Sequence, residues 1–464
     1  MLTDLTEPRS EPRDLQGLAR RHLWMHFTRM GGYAASEIPI IVRGDGCYVY
    51  DEHAKRYLDG LSALFCVNCG HGRAQLADAA AEQARELAFF TTWSYAHPRA
   101  IELATRIAAL APDGLERVFF TSGGSEAIES AWKLARAYHR MRGENRRTKD
   151  HRPRARLPRH VDGRARRNRS ARAAGAVRAA GAGRLPRPQH ELLSLPRRRP
   201  RCPVDRRRDR GADPRRGVET VAAVILEPVQ NAGGCFTPPD GYFPRVRQIC
   251  DRHGALLISD EVICSWGRLW YHFGCERFGY VPDIITTAKG LTSAYVPMGA
   301  MIVADHVAEP FMHGSASFAH GLTFGGHPVA AAVALANLDI IEREEQCARV
   351  RAKEVGFRAM LDSLRDLDIV GDVRGAGYFQ AIELVRDRVT GERFDAEESE
   401  ALLRGFVSPE LYRRGLICRI DDRGDPVIQL APPLIARREQ FDEIEAILRP
   451  ALIDTWERAS HPRC

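Results

Sequence analysis

The stretch GALLISDEV, residues 254–262, is a short run of apolar residues that ends in an acidic pair before Val262. A continuous apolar run of this length, introduced by a glycine, predicts a strand that is buried on both faces, as in a parallel sheet. Asp260 stands at the end of this strand, and open α/β sheets bind ligands at the carboxyl ends of their strands. Taken alone, Asp260 is better explained as a helix cap or an ion-pair partner.

Four further apolar runs predict strands: ERVFFTS (116–122), TVAAVILEPV (220–229), PDIITTAKG (282–290) and PMGAMIVAD (297–305). The stretch SEAIESAWKLARAYHRM (125–141) has the period of a helix and places these residues on one face: Ile128, Ala131, Trp132, Ala135 and Tyr138. The alternation of the two patterns predicts an α/β fold with a mostly parallel sheet. From about residue 330 a long helix leads into strands of a smaller α+β domain.

The 464-residue chain carries a net charge of +8, and one segment supplies all of the excess. Residues 151–216 contain 22 Arg, no Lys and five acids, a charge of +17, which leaves −9 for the rest of the chain. This segment also has eight prolines and no Phe, Trp, Tyr or Met. Its composition is therefore unable to build a hydrophobic core.

No stretch of the sequence approaches the roughly 18–20 consecutive apolar residues that a membrane span needs. The stretch MLTDLTEPRSEPRD, residues 1–14, is acidic and polar, so we expect no secretory signal. Eleven cysteines scattered over the chain indicate reduced thiols rather than a disulfide framework, and we expect a cytoplasmic protein.

Three features lie where predicted strands end, and together they indicate one cofactor. Lys289 ends an apolar strand, which is a costly position for an ammonium group unless that group has a function. The turn TSGGSEA (121–127) joins a strand to a helix, so its backbone N–H groups and the helix dipole can bind a phosphate. A lysine for a Schiff base, a carboxylate such as Asp260 that keeps a pyridine nitrogen protonated, and a phosphate cradle are what pyridoxal 5′-phosphate (PLP) requires. Each feature alone is a weak signal.

Three segments of the chain resemble one protein family closely: LLISDEVICSWGR (256–268), DIITTAKGLTSAYVPMGA (283–300) and HGLTFGGHPVAAA (320–332). They look like the class III (ω-type) aminotransferases of PLP fold type I, and the resemblance covers about residues 20–146 and 217–455. It implies a large PLP-binding domain (61–329) with a mostly parallel sheet, and a small domain built from both chain ends (1–60 and 330–464). It also implies a homodimer whose two subunits form the active sites jointly.

The resemblance implies a role for each residue that matches the family's cofactor site. Lys289 is the Schiff-base lysine and, once displaced from the cofactor, the general base. Asp260 is the partner of the pyridinium nitrogen, and Val262 packs against one face of the ring. Gly124 and Ser125 match the Gly-Ser pair that binds the phosphate.

Four more residues match family positions around the cofactor and the substrate. The resemblance implies that Thr323 reaches the phosphate from the neighbouring subunit. It places Glu227 near the cofactor hydroxyl, where a purely structural carboxylate is an equally good explanation. Arg419 matches the mobile arginine that holds a keto-acid carboxylate by a bidentate contact and swings away for an uncharged amine. Phe65 stands where the family often has tryptophan, so it forms an apolar wall of the substrate pocket.

Two other motifs indicate no chemistry of their own. CVNC (66–69) has the spacing of a redox motif, but no second Cys pair or His cluster supports a metal. We therefore predict neither a metal site nor a redox site there. HLWMHFTRM (22–30) is amphipathic and aromatic, and we predict that it docks at a subunit surface or at the substrate entry rather than on a membrane.

The resemblance also implies a motif that the chain lacks. After the helix that ends near Tyr138, the family has a strand and then a Tyr-His-Gly motif whose aromatic ring stacks on PLP, but residues 143–217 contain no such motif. Permitted codons for KDHRPRARLPRHVDGRA (149–165), read one base later, encode IIARARAYHGTSMG, a strand followed by that motif. We therefore predict that residues 149–216 are a frame-shifted, irregular segment. This chain should then lack the ring-stacking aromatic and a central strand of the sheet, bind PLP weakly and be poorly stable.

The predicted function is the transfer of an amino group from an ω-amino acid, a diamine or an amine to a keto acid such as pyruvate. An aminomutase and a decarboxylating aminotransferase are alternatives within the class III PLP enzymes. An inactive pseudoenzyme, or a nucleic-acid-binding protein with a basic arm, is a further alternative. The lack of aromatic residues and lysines in the basic segment disfavours nucleic-acid binding.

Overall fold

The structure is a computed structural model that describes residues 14–34, 36–152, 217–421 and 426–460. Its strands are β1 (Ile41–Asp45), β2 (Tyr48–Asp51), β3 (Arg56–Asp59), β4 (Leu115–Thr121), β5 (Lys149–His151), β6 (Val221–Leu226), β7 (Leu256–Asp260), β8 (Ile284–Thr287), β9 (Gly299–Ala304), β10 (Val370–Ala376), β11 (Phe379–Leu384), β12 (Leu416–Ile417), β13 (Arg419–Asp421) and β14 (Val427–Leu430).

The α-helices of the described residues are α1 (Leu15–His22), α2 (Ser62–Phe65), α3 (Ala74–Glu86), α4 (Pro98–Leu110), α5 (Gly124–Met141), α6 (Tyr242–His253), α7 (Gly274–Arg277), α8 (Asp305–Ala308), α9 (Pro328–Arg343), α10 (Gln346–Ser363), α11 (Ala396–Leu402), α12 (Ser408–Arg413) and α13 (Arg438–Ser460). None of these helices combines the length and the hydropathy that crossing a bilayer requires.

The largest sheet has six strands in the order β4-β9-β8-β7-β6-β5. Strands β5, β6, β7 and β8 run parallel, whereas β9 is antiparallel to both of its neighbours, β8 and β4. Every residue of β6, β8 and β9 is buried, as their continuous apolar sequences predict. The predicted α/β fold with a mostly parallel sheet is therefore confirmed.

Alternate residues of a strand point to opposite sides of the sheet, so these apolar strands present apolar side chains on both faces. Helices cover both faces. Ala223 and Ile225 of β6 pack with α5, whereas Val224 and Leu226 pack in a cluster with α3, α4 and α9. The predicted apolar face of α5 is confirmed, since its members are buried except for the half-buried Trp132: Ile128, Ala131, Ala135 and Tyr138.

The first residues of the Arg-rich segment form a strand. Residues 149–151 are β5, which pairs in parallel with β6, and all three are half-buried. The prediction of an irregular segment from residue 149 is therefore wrong for these residues, because backbone hydrogen bonds to β6 require no particular side chain. The rest of the predicted frame-shifted segment, from 153 to 216, lies outside the described residues.

Segments that precede and follow the strands of the large sheet in the sequence form two smaller sheets. In the sheet β1-β2-β3-β12, the short C-terminal strand β12 pairs in parallel with β3, so both ends of the chain contribute to one sheet. The sheet β10-β11-β14-β13 is antiparallel and packs with α10 and α13 in one apolar cluster that includes Phe357, Ile382, Ile428 and Leu448. The domain boundaries at residues 60 and 330 remain predictions.

Candidate active site

Three parallel strands end side by side, and each brings one of the predicted polar residues to the same edge of the large sheet. Leu226, the last residue of β6, pairs with Ser259, so Glu227, which follows β6, lies level with Asp260, the last residue of the neighbouring strand β7. Asp260 pairs in turn with Thr286 of β8, and Lys289 comes two residues after that strand ends. The sheet register thus places Glu227, Asp260 and Lys289 at the same edge of the sheet, as parallel strands require.

The two carboxylates lie close to one buried thiol. Asp260 is half-buried, and its Oδ1 accepts a hydrogen bond from Val262 N at 3.3 Å. Glu227 Oε2 accepts one from Asn231 N at 3.2 Å. Burial raises the pKa of Cys264 well above its ordinary value, and the nearby carboxylates of Glu261, Glu227 and Asp260 add to this shift. The site therefore has two negative groups at adjacent strand ends.

The start of α5 meets the end of β7 through Gly124 and Val262. Gly124 begins this 18-residue helix directly after the turn that follows β4, and Ser125 beside it is exposed. A Cβ atom on Gly124 would lie 2.7 Å from Cγ1 and 2.8 Å from Cγ2 of Val262, closer than side chains approach. Glycine is thus required here so that the helix N-terminus, with its free N–H groups, can lie against the strand end.

This contact leads to a stability prediction with an internal control. We expect Gly124→Ala to destabilise the protein by about 1–3 kcal/mol, because the added methyl group overpacks against Val262. Gly123→Ala is the matched control, since Gly123 has an extended backbone and no atom within 4 Å of its potential Cβ. Chemical denaturation of both variants measures the difference, and equal stabilities would contradict the assigned contact.

Lys289 starts a short 3₁₀ turn, Lys289–Leu291, with its backbone in the left-handed region at φ +48°. Its Nζ donates a hydrogen bond to the Leu64 carbonyl at 2.7 Å and lies 5.7 Å from the centre of the Phe65 ring. Phe65 is buried. The predicted substrate-wall residue therefore lies beside the predicted Schiff-base lysine, although 224 positions separate them in the sequence.

The same loop brings Cys66 to the site, which the sequence analysis did not expect. Cys66 Sγ lies 3.7 Å from Lys289 Nζ, and Cys66 is a free, half-buried thiol. The signal available in the sequence was its position directly after Phe65, a residue predicted to line the pocket. The first cysteine of the CVNC motif therefore contacts the predicted catalytic lysine.

Thr323 and Arg419 lie on segments that approach the sheet edge from other parts of the chain. Thr323 is exposed in a loop whose Gly325 packs against the Phe120 carbonyl of β4. Arg419 is half-buried at the start of β13, opposite Gln429 of β14. Gln429 Nε2 donates to the Asn231 carbonyl at 2.7 Å, and Asn231 is the residue that bonds Glu227. The roles predicted for Thr323 and Arg419 stay predictions.

Arg268 is a second residue near the site that the sequence analysis did not single out. Its guanidinium is fully buried, and burial lowers its pKa to about 10, so it stays charged at neutral pH. It donates to Asn68 Oδ1 at 2.8 Å and Ser62 Oγ at 3.1 Å, and to the carbonyls of Tyr378 and Pro432 at 3.1 and 2.6 Å. Arg268 thus joins the loop that carries Phe65 to the C-terminal part of the chain.

Comparison with known proteins identifies the family. The family model described as aminotransferase class-III matches residues 33–152 and 209–452. This chain belongs to the class III aminotransferases. The "Probable aminotransferase" of Mycobacterium tuberculosis is 50% identical over 471 residues, which cover 98% of each chain. A putrescine–pyruvate aminotransferase of Pseudomonas aeruginosa is 35% identical over 468 residues, or 96% of this chain and 97% of the relative.

A solved structure agrees with this assignment. The transaminase from the marine bacterium Virgibacillus has a TM-score of 0.82 and 33% identity, covering 96% of this chain and 100% of that chain. The predicted family and the predicted enzyme class are therefore confirmed. The match to the class III aminotransferase model leaves out residues 153–208, which are most of the Arg-rich segment.

Proposed function

We propose that this class III aminotransferase transfers an amino group from an ω-amino acid, a diamine or a simple amine to a keto acid such as pyruvate. The observation that supports it most strongly is the register that brings Asp260 and Lys289 to one sheet edge on adjacent parallel strands. A relative that is a putrescine–pyruvate aminotransferase favours a diamine donor and pyruvate as acceptor.

The residues at this edge fit PLP, the cofactor on which class III aminotransferases depend. The N-terminus of α5 offers free N–H groups to a phosphate, with Gly124 and Ser125 in its first turn. Asp260 is a carboxylate for a pyridinium nitrogen, and Lys289 is an amine for covalent attachment. When bound, PLP supplies an electron sink that makes the Cα–H of an attached amino compound acidic.

The chain's own residues then have distinct tasks. The Asp260 carboxylate holds a proton on the pyridine nitrogen, because a negative charge beside that nitrogen favours its protonated form. With the cofactor bound and Lys289 free of it, Lys289 Nζ would take the proton from the donor carbon and return a proton on the cofactor side within the same half-reaction, and it would move a proton in the opposite direction in the second half. Phe65, whose ring centre is 5.7 Å from this Nζ, excludes water from one side of the lysine.

The acceptor requires recognition of a carboxylate, which a diamine or a simple amine lacks. Arg419 is the residue we propose for this task, because its guanidinium can bind a carboxylate with two parallel hydrogen bonds. Since donor and acceptor use the same site in turn, we expect ping-pong kinetics.

We further propose that the enzyme is a homodimer in which Thr323 completes the site of the partner subunit. Phe324, which follows Thr323, and Trp93, which lies against Gly321 of the same loop, are exposed, and so is Tyr95. Earlier in the chain, Trp24 and Phe27 of the 22–30 stretch are 85% and 91% exposed. Exposed apolar surface of this kind is typical of a subunit interface, and a second copy of this chain is the occupant we assign to it.

The Arg-rich segment remains, in our proposal, a frame-shifted reading of the aminotransferase gene from about residue 149 to 216. The absence of a family match between residues 153 and 208 supports this view. The protein encoded when this segment is read in the corrected frame, so that IIARARAYHGTSMG replaces residues 150–163, is called the restored-frame protein below. A basic arm that binds nucleic acid predicts instead a salt-dependent affinity for DNA or RNA that disappears when residues 151–216 are deleted.

A panel of amine donors with pyruvate tests the proposed reaction. We expect the restored-frame protein to form alanine from putrescine, other diamines, ω-amino acids or simple amines, with parallel double-reciprocal plots. An aminomutase would instead isomerise its substrate without consuming pyruvate, and a decarboxylating enzyme would release carbon dioxide. Either product pattern would contradict the proposal, as would the absence of alanine with every donor.

A further inference from the structure

The turn that carries Lys289 is conformationally strained. Lys289, Ser293 and Ala294 all have left-handed backbones, at φ +48°, +48° and +62°. This region is unfavourable for residues with a Cβ atom, so such a conformation persists only where the surrounding structure holds it. Residues outside the turn must therefore supply the interactions that stabilise it.

The side-chain amide of Asn337 in α9 supplies them. Asn337 is fully buried, and its Nδ2 donates to the Gly290 carbonyl at 2.9 Å and to the Leu291 carbonyl at 3.0 Å. Its Oδ1 accepts from Ser293 Oγ at 2.7 Å and from Cys69 Sγ at 3.1 Å. An amide has two N–H donors and two acceptor sites, so every hydrogen bond that Asn337 can form is formed.

This bonding pattern determines the orientation of the amide. Backbone carbonyls can only accept hydrogen bonds, so the nitrogen must face Gly290 and Leu291. The oxygen then faces two donors, and Cys69 remains a donor because burial raises the pKa of its thiol and keeps it protonated. The flipped orientation of the Asn337 amide would not form all four of these hydrogen bonds.

The same network holds the loop that contacts Lys289 Nζ. Cys69 N donates to Ser293 Oγ at 3.1 Å, and Cys69 ends the loop in which the Leu64 carbonyl accepts from Lys289 Nζ. The other side of the turn is closely packed, since a Cβ on Gly290 would lie 2.3 Å from Asn68 Nδ2. One buried amide thus connects the backbone of the lysine turn with the loop that receives the lysine side chain.

We propose that Asn337 is a positioning residue for Lys289. Its hydrogen bonds go to the turn and to Cys69 of the Phe65 loop. It stabilises the left-handed turn and keeps that turn in register with the Phe65 loop, so that Nζ is presented at the sheet edge. This inference rests on the proposed role of Lys289 as the cofactor-binding lysine, and it adds a residue that acts through Lys289.

Asn337→Asp is the sharpest test, because it preserves shape while removing donors. Even a protonated Asp has one O–H for the two carbonyls of Gly290 and Leu291. The first measurement is amide hydrogen exchange of the peptide that contains Leu291 and Ser293, in the 464-residue chain without cofactor. We expect exchange there to accelerate about tenfold or more, since a buried carbonyl loses its donor.

The second measurement is the PLP dissociation constant, together with the fraction of PLP that borohydride reduction traps on Lys289, in the restored-frame protein. We expect Asn337→Asp to weaken PLP binding about tenfold and to lower the trapped fraction. Ser293→Ala, which removes one donor from the network, is expected to have a smaller effect of the same sign. Ser293→Ala replaces Asn337→Asp as the test of the inference if Asn337→Asp does not fold.

Thr455→Val is the matched control for a loss of stability alone. Thr455 is fully buried in α13, and its Oγ1 donates within its own helix to the Ala451 carbonyl at 2.5 Å. We expect it to lower the melting temperature without changing exchange in the lysine turn or PLP affinity. If the Asn337 and Ser293 variants behave like Thr455→Val, the inference is overturned. If the parent protein forms no reducible link between PLP and Lys289, the proposed function fails instead, and the exchange measurement still decides whether Asn337 holds the turn.

Discussion

Lys289→Ala in the restored-frame protein is expected to lower transamination by at least about 10³-fold with every donor that the parent accepts. Proton transfer by a positioned side chain contributes about 10²–10⁴-fold to an enzymatic rate, and this variant also removes the covalent link to the cofactor. The visible absorbance of lysine-bound PLP should disappear, whereas free PLP should still bind weakly. Steady-state alanine formation and absorbance spectra measure both effects.

A second lysine controls for the loss of a positive charge. Lys133 in α5 is partly exposed and forms an i,i+4 pair with Glu129 at 2.7 Å. Exposed pairs of this kind contribute about 1 kcal/mol or less, so Lys133→Ala is expected to retain nearly full activity. Transamination by Lys289→Ala at a rate near that of the parent would remove Lys289 from the mechanism.

The restored-frame protein is expected to bind PLP at least about two- to tenfold more tightly than the 464-residue chain. Aromatic stacking is worth about 0.5–1.5 kcal/mol, and the restored segment supplies the Tyr-His-Gly motif that this chain lacks. The two isoleucines that replace Asp150 and His151 should also stabilise β5, because each buried apolar side chain contributes about 1.5–3 kcal/mol. PLP titration and thermal unfolding of the two proteins measure these differences.

Sequencing of the gene decides whether the Arg-rich segment results from a frame shift, independently of any measurement on the protein. A locus that encodes residues 149–216 without a shift would end the frame-shift hypothesis, whatever the two proteins do. Equal PLP affinity and equal turnover in the two proteins would show instead that the Arg-rich segment does not impair the enzyme. Salt-dependent nucleic-acid binding that requires residues 151–216 would favour the basic-arm alternative.

Much of the fold and part of the site followed from local sequence patterns. A buried parallel strand requires a continuous apolar run, so β6, β7 and β8 were recognisable from their own residues. Because parallel strands end at a common edge, Asp260 and Lys289 were recognisable as candidates from the positions where those runs stop. The glycine at position 124 was expected from the family motif, but the reason that only glycine fits there is its contact with Val262, which lies 138 positions away.

The residues that sequence reasoning missed act through contacts between distant segments. Arg268 looked like the end of a motif, yet its guanidinium binds residues as far away as Pro432. Cys66 was assigned no role, and only the folded loop brings its sulfur to Lys289. The short strand β5 was unexpected because its side chains are polar, whereas its pairing with β6 depends on backbone groups alone.

By itself, the sequence determined the class of the fold, the family and the chemical types of the catalytic candidates, because apolar periodicity and strand-end residues are properties of short segments. Only the tertiary structure decided which residues hold those candidates in position. Asn337 is an ordinary helical residue until the turn after β8 packs on α9 and presents two carbonyls to its amide. Hydrogen-bond partners of this kind are set by three-dimensional packing, and no local pattern encodes them.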